Sequence, residues 1–190
     1  MHAHADFFGL RLATAPGRVM TPRPTTERLV ATSVELLGDR PARVVDVGTG
    51  SGAVAVALAT ALPRAEVFAT DTSTRAVLLA RANVARLGLA GRVTVLHGDL
   101  LAPVAGTFDL IAANLPYLPL TERSEHPELH GEPSSAVFAP GDGLDSYRTL
   151  VAASRERLRP DGALVIQLRR RVLAATRDEL DDVDAELVAA

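Results

Sequence analysis

The residues that could do chemistry fall into two groups. Asp46, Asp71, Asp99 and Asn114 each stand at or just beyond the end of a short apolar run, and Gly48, Gly50 and Gly52 follow the first of them at alternate positions. Glycine has no Cβ, so such a loop lets backbone approach a ligand closely. Its spacing, D-x-G-x-G-x-G, differs from the dinucleotide fingerprint G-x-G-x-x-G; a tight turn between a strand and a helix with no ligand is the lesser alternative. The second group, Asn114-Leu115-Pro116-Tyr117, sets a primary amide beside an aromatic ring at a proline-stiffened turn. Absences narrow the chemistry. The chain has no cysteine, and all twenty basic residues are arginine. Thiol nucleophiles, disulfides, thiolate metal sites, Schiff-base lysines and the Walker A lysine are therefore excluded.

Positioning these groups requires a regular scaffold, and the hydrophobic pattern supplies one. Strands are expected over 43–47, 66–70, 93–97, 108–113 and 163–168, with helices over 53–62, 73–87, 146–158 and 172–180. The 53–62 segment carries no charge, so it is expected to be buried all round. A further helix runs to Leu37, with Thr25 or Thr26 as its cap and Gly38 after its end. Phe7–Leu12 reads as a short strand or hairpin arm, and Pro22 and Pro24 hold an extended path after it. Strands alternating with helices give a parallel α/β sheet with helices on both faces, where ligands bind beyond the carboxyl ends of the strands. Asp46, Asp71, Asp99 and Asn114 would meet at that edge. The resulting division is an N-terminal hairpin segment, 1–24, and an α/β domain, 25–190.

At 190 residues, 47% apolar and net charge −3, the chain suits one folded domain without a basic field for a phosphate backbone. This counts against a nucleic-acid partner without excluding one. No apolar run approaches the roughly 20 residues of a membrane span, and there is no signal-peptide pattern, so cytoplasm and no membrane partner are expected. His2 and His4 stand in a polar terminus of the kind that frays. The stretch 121–140 lacks periodicity; its His126 and His130 have too few companions for a metal, and it reads as a loop that covers substrate or as a disordered excursion.

The Asp46–Gly52 stretch resembles motif I of the class I S-adenosylmethionine (SAM) methyltransferases. That resemblance implies a Rossmann-like fold and SAM as cofactor. Asp71, nineteen positions after Gly52, would accept hydrogen bonds from the ribose hydroxyls, and Asp99, followed by Leu100, would meet the adenine. Asp46 would orient the loop near the ammonium end, with Gly48, Thr49, Gly50 and Gly52 around the ligand and Asn114 at its reactive side.

Asn114-Leu115-Pro116-Tyr117 resembles the N-P-P-Y motif of methyltransferases that act on nitrogen attached to a planar conjugated group. Such a nitrogen is a poor nucleophile, because its lone pair is delocalised. The Asn114 oxygen and the Leu115 carbonyl can accept its hydrogens as the lone pair localises, and Tyr117 can stack on the plane. Asn114, Pro116 and Tyr117 are the expected catalytic residues. Leu115 departs from the motif, and N-L-P-Y is also the spelling in rRNA adenine dimethyltransferases, where N-I-S follows; here Leu118-Pro119-Leu120 follows.

Three further stretches narrow the resemblance. Phe7–Leu12 with Val19–Glu27, then Glu132-Pro133, then Gly141–Arg148 look like the F-x-G…V-L-I-P-R-P-E-T-E, E-P and G-x-D-G-L-x-x-Y-R segments of the HemK/PrmC family. That family methylates the glutamine amide of the Gly-Gly-Gln motif of peptide-chain release factors. The resemblance implies a release factor as partner and Pro22, Arg23, Pro24, Leu115 and Tyr117 as substrate contacts. Thr25 and Gln167 stand where the family has acids, and its amino-terminal helical domain has no counterpart here. The carboxyl-terminal strands are expected to be truncated, leaving the 163–168 strand at an edge that the last helix, a partner chain or self-association would cover. Two other readings stay open: an adenine N-methyltransferase acting on RNA or DNA, and a non-catalytic SAM-binding subunit.

Overall fold

A computed structural model describes residues 3–169, 172 and 185–189. In chain order its elements are β1 (Ala3–Phe7), β2 (Leu10–Thr14), α1 (Glu27–Leu37), β3 (Ala42–Val47), α2 (Ala53–Ala61), β4 (Ala65–Asp71), α3 (Thr74–Arg86), β5 (Val93–His97), β6 (Phe108–Ala113), β7 (Leu118–Pro119), β8 (Phe138–Ala139), α4 (Asp145–Arg157), β9 (Leu158–Leu168) and β10 (Ala185–Ala189). Six of the strands form one parallel sheet in the order β10-β9-β6-β3-β4-β5. β1 and β2 make a separate antiparallel hairpin, and β7 and β8 a short parallel pair.

The sheet is covered on both faces, which is why its central strands read as continuous apolar runs. Every residue of β6 is buried. Successive side chains point to opposite faces. Val44, Leu110 and Val165 join the core built with α1, α2 and α3, whereas Val45, Ile111 and Leu164 join the core that contains Leu150 and Val151 of α4. α2 is buried from Ala53 to Ala59, as its lack of charge requires. Ser73 caps α3, its hydroxyl accepting from the Ala76 amide at 3.3 Å. The β1–β2 hairpin docks Phe7 and Leu12 into the first core.

Three expectations are corrected. Neither Thr25 nor Thr26 caps α1 through its side chain; a 3-10 turn at Pro24–Thr26 leads into the helix, and the Thr26 hydroxyl faces Asn114 instead. The fifth strand of the expected set extends back to Leu158 through a register shift, with Asp161 in the left-handed region, φ 63°. Nor is that strand a sheet edge. β10 pairs with it in parallel, Ala185 opposite Leu164 through Ala189 opposite Leu168, so one carboxyl-terminal strand that the sequence reading took as missing is present and forms the edge of the sheet. The helix expected over 172–180 lies outside the described residues, apart from Val172.

Candidate active site

The carboxyl ends of β3, β4, β5 and β6 converge as the topology requires, and the turn after β3 is held from below by Asp46. This carboxylate is 2% exposed; it accepts from the Thr49 hydroxyl at 2.6 Å and from the Ala55 amide at 3.1 Å. Burial pushes its pKa up to about 7, against the two hydrogen bonds, and the neighbouring Asp71 charge raises it further. The amides of Gly48 and Thr49 both donate to the Thr70 carbonyl at 2.9 Å, tying the loop to β4. Gly48 has a backbone that favours glycine, and a side chain there would also push on Leu115. Its φ is +72°, and a Cβ there would lie 2.6 Å from Leu115 Cδ2.

Asp71 accepts from the Gly50 amide through one oxygen and from the Ser73 amide through the other, each at 2.8 Å. With both oxygens anchored, Asp71 lines a cavity of about 370 Å³ together with Gly48, Gly50, Asp99, Leu100 and Asn114. A small recess of about 60 Å³ adjoins Asp46, Thr49 and Pro22. A third cavity, of about 530 Å³, is lined by Arg23, Pro24, Thr25, Tyr117, Gln167 and Arg169 among others. Met20, Asn114, Leu115 and Pro116 line both larger cavities, and Asn114 lines all three. The Asn-x-Pro-Tyr turn is therefore the partition between two chambers. Gly52 lines neither; its closest neighbour is Ala80 of α3, 3.0 Å from where a Cβ would be, so it serves helix packing.

The amide of Asn114 has a definite orientation. Its Nδ2 donates to the Thr26 hydroxyl at 3.1 Å, which turns Oδ1 to the other side. The Leu115 main chain is held with equal care. Its amide donates to the buried Tyr147 hydroxyl at 2.9 Å, and that hydroxyl lies 3.1 Å from the Leu115 carbonyl and 2.9 Å from the Gln167 carbonyl. Burial raises the Tyr147 pKa well beyond its ordinary value, so the proton stays in place. Gly143 packs so closely that a Cβ would lie 2.3 Å from the Tyr117 carbonyl oxygen. The Gly141–Arg148 stretch, whose role the sequence left open, is thus the buttress of the Asn-x-Pro-Tyr turn. Arg148 stiffens it by pairing with Asp142 at 2.6 Å and Asp145 at 3.1 Å.

The 121–140 segment is a folded cover. 3-10 turns at Leu120–Glu125, Pro127–Leu129 and Ser134–Ala136 pack around a small core of Leu118, Leu129, Val137 and Phe138. Glu132 ties it to the arm after β2, accepting from the Thr21 amide at 3.1 Å and pairing with Arg23 at 3.5 Å. Four contributors escaped sequence reasoning as site elements: Thr26, Tyr147, Gln167 and Asn83. Asn83, fully buried on α3, donates to the Ala13 and Ser51 carbonyls and accepts from the Ala13 amide, so hairpin and glycine loop share one anchor. Only a mid-helix asparagine on the apolar side of α3 hinted at it.

A parallel sheet in this order, with a glycine turn after its central strand and acids at the next two strand ends, defines the class I SAM methyltransferase fold. The hMettl16 catalytic domain, solved in complex with a MAT2A 3′UTR hairpin, superposes with a TM-score of 0.74 at 20% identity, over 92% of this chain and 67% of that one. A SAM-dependent methyltransferase from Agrobacterium tumefaciens superposes with a TM-score of 0.64 at 19% identity, over 99% and 60%. The sequence profile of the methyltransferase small domain matches residues 26–125, and the chain belongs to that family. A curated release factor glutamine methyltransferase from Deinococcus radiodurans is 46% identical over 169 residues, 87% of this chain. The chain spans 59% of that relative's length.

Proposed function

We propose that this chain is the catalytic domain of a SAM-dependent N-methyltransferase whose acceptor is the side-chain amide of the glutamine in the Gly-Gly-Gln motif of peptide-chain release factors. The observation that carries the reading is Asn114, oriented by Thr26 at the partition between two cavities. The 46% identical relative supports the choice of acceptor. The cytoplasm, where release factors work, is the compartment this implies. Among the described residues no helix is long and apolar enough to cross a membrane.

The residues of the 370 Å³ cavity fit the cofactor. Asp71 is placed for the ribose hydroxyls, Asp99 and Leu100 for the adenine, and Gly48 and Gly50 let the backbone come close. Asp46 lies at the recess where the amino-acid end would reach. When bound, the cofactor supplies a methyl group already activated by its sulfonium.

The protein contributes positioning and electrostatics. The acceptor amide enters from the 530 Å³ cavity, where Pro24, Leu118 and Tyr117 offer apolar and aromatic surface to its plane. Asn114 Oδ1 and the Leu115 carbonyl accept its two N–H groups. As the nitrogen's lone pair turns out of conjugation toward the methyl carbon, which would part from sulfur with the bonding electrons left on sulfur, the hydrogen bonds to these oxygens strengthen; the extra proton on nitrogen would then pass to solvent, and conjugation returns. Tyr147 can direct its single proton to the Gln167 carbonyl, which leaves the Leu115 carbonyl free to accept. Positioning of this kind is worth roughly 7–11 kcal/mol in well-oriented reactions, so no strong base is required.

The test is mass spectrometry of a Gly-Gly-Gln peptide and of an intact release factor after incubation with the chain and SAM. One added methyl on the glutamine, absent with Asn114→Ala, is the expected result. Methyl found only on adenine in an RNA or DNA pool would replace this reading with the nucleic-acid one. Tight SAM binding without transfer to any pool would favour a non-catalytic subunit or a piece that needs more of a longer chain.

A further inference from the structure

Two segments outside the sheet complete the wall of the 370 Å³ cavity. Arg18, Val19 and Met20 of the arm after β2 form one part of it, and Pro133 and Phe138 of the cover belong to the other. The cover is a unit of its own. Its core is Leu118, Leu129, Val137 and Phe138, and none of the arm's residues belongs to that core. Glu132 joins the two segments. Its side chain is 11% exposed, one oxygen accepting from the Thr21 amide at 3.1 Å and the other pairing with half-buried Arg23 at 3.5 Å. Thr21, Pro22 and Arg23 line the recess beside Asp46, so the join stands next to the place proposed for the cofactor's amino-acid end. Breaking this join costs one hydrogen bond and one ion pair and leaves the small apolar core of the cover intact. Segments held in this way open at lower free energy than the sheet that carries them.

We propose that Glu132 is the latch of the cofactor chamber: it holds arm and cover together, and its two bonds break when the cofactor enters or leaves. The inference rests on the reading of the 370 Å³ cavity as the SAM site. Glu132 is a positioning residue, since it lines none of the three cavities and acts through the segments it joins. A carboxylate suits the task, because its two oxygens serve a main-chain donor and a cation at once. Pro22 stiffens the arm beside Thr21, so restraining the Thr21 amide also restrains Met20, which lines both larger cavities. A latch that does not touch the cofactor has a kinetic signature. It favours the closed chamber equally with the cofactor inside or absent. Where the closed form predominates in both cases, weakening the latch raises entry and exit rates by the same factor and leaves affinity unchanged. A residue that shapes the bound site raises the exit rate alone.

The experiment flows S-adenosylhomocysteine over the immobilised chain and reads both rate constants by surface plasmon resonance. Glu132→Gln keeps a carbonyl oxygen for the Thr21 amide and loses the ion pair with Arg23, so it should raise the association and dissociation rates together by about threefold. Glu132→Ala removes both bonds and should raise them together by about tenfold. Affinity should stay within about twofold in each variant. Should Glu132→Ala fail to fold, the isosteric Glu132→Gln decides the question. A faster exit with unchanged entry and weaker binding would overturn the latch and make Glu132 a brace of the closed site. Binding by the wild-type chain with both rates unmoved in the variants would remove the latch and keep the cofactor reading. No binding of S-adenosylhomocysteine by the wild-type chain would remove both.

Discussion

The side chain of Leu115 rests directly on Gly48, so closely that a Cβ on the glycine would fall 2.6 Å from Leu115 Cδ2. The turn that would hold the cofactor and the turn that would hold the acceptor are in van der Waals contact. Leu115 is the position at which this chain departs from N-P-P-Y, and its side chain has been recruited as the spacer between the two. Gly48→Ala should therefore cost about 1–2 kcal/mol for the left-handed backbone, with a steric loss added. We expect a lower Tm and at least tenfold weaker SAM by calorimetry. Adding Leu115→Ala should recover the steric part alone, and full recovery would place the defect in the contact rather than the backbone.

Thr26 and Asn114 form the second coupled pair. Asn114→Ala removes an acceptor used chiefly in the transition state, so turnover should fall by about 10²–10³ with little change in SAM affinity. Thr26→Val keeps shape and removes the hydroxyl that orients the amide. It should lower kcat by about tenfold while KM for the peptide moves less than threefold. A loss confined to KM would show that Thr26 shapes the pocket instead of the amide.

Asp46 makes stability depend on pH. Its folded pKa, about 7, lies above the ordinary 3.8, so the folded chain binds a proton that the unfolded chain has lost. The stabilising contribution is complete below about pH 4 and is lost as pH rises toward 7. The slope can reach roughly 1.4 kcal/mol per pH unit in that window. Asp46→Asn keeps an acceptor for Thr49 and Ala55 and should flatten this part of the profile. Denaturant titrations of both proteins from pH 4 to 8 measure it; parallel profiles would contradict the assignment.

Tyr147 positions the main chain of Leu115 without reaching the reacting atoms. Tyr147→Phe leaves the Leu115 amide without its acceptor in a buried place, a loss of about 1–3 kcal/mol. We expect a reduced unfolding midpoint in urea and a fall in kcat larger than any change in SAM affinity. Full turnover in Tyr147→Phe would mean that the turn is held by Gly143 packing alone.

Much of this protein was decided locally. β5 and β6 were legible to the residue, β6 because a central strand buried on both faces is almost wholly apolar, and β5 because its buried and exposed residues largely alternate and Gly98 follows it. The glycine turn and the acids at strand ends were legible for a similar reason: backbone conformation and close approach restrict those positions to few residue types. What only the tertiary structure decided are relations between residues far apart in sequence. Thr26 carries the signature of a helix cap, yet its hydroxyl faces an amide 88 residues away. Tyr147 stood only as part of the Gly141–Arg148 resemblance, and Gln167 as an altered strand residue; one braces the Leu115 main chain and the other lines its cavity. β10 has no sequence signal that distinguishes it from a short helix end, and pairing with β9 makes it a strand. Local steric rules act through neighbours along the chain and leave a pattern there. A hydrogen bond between distant elements needs only one polar atom at each end, so its evidence appears when the sheet brings the ends together.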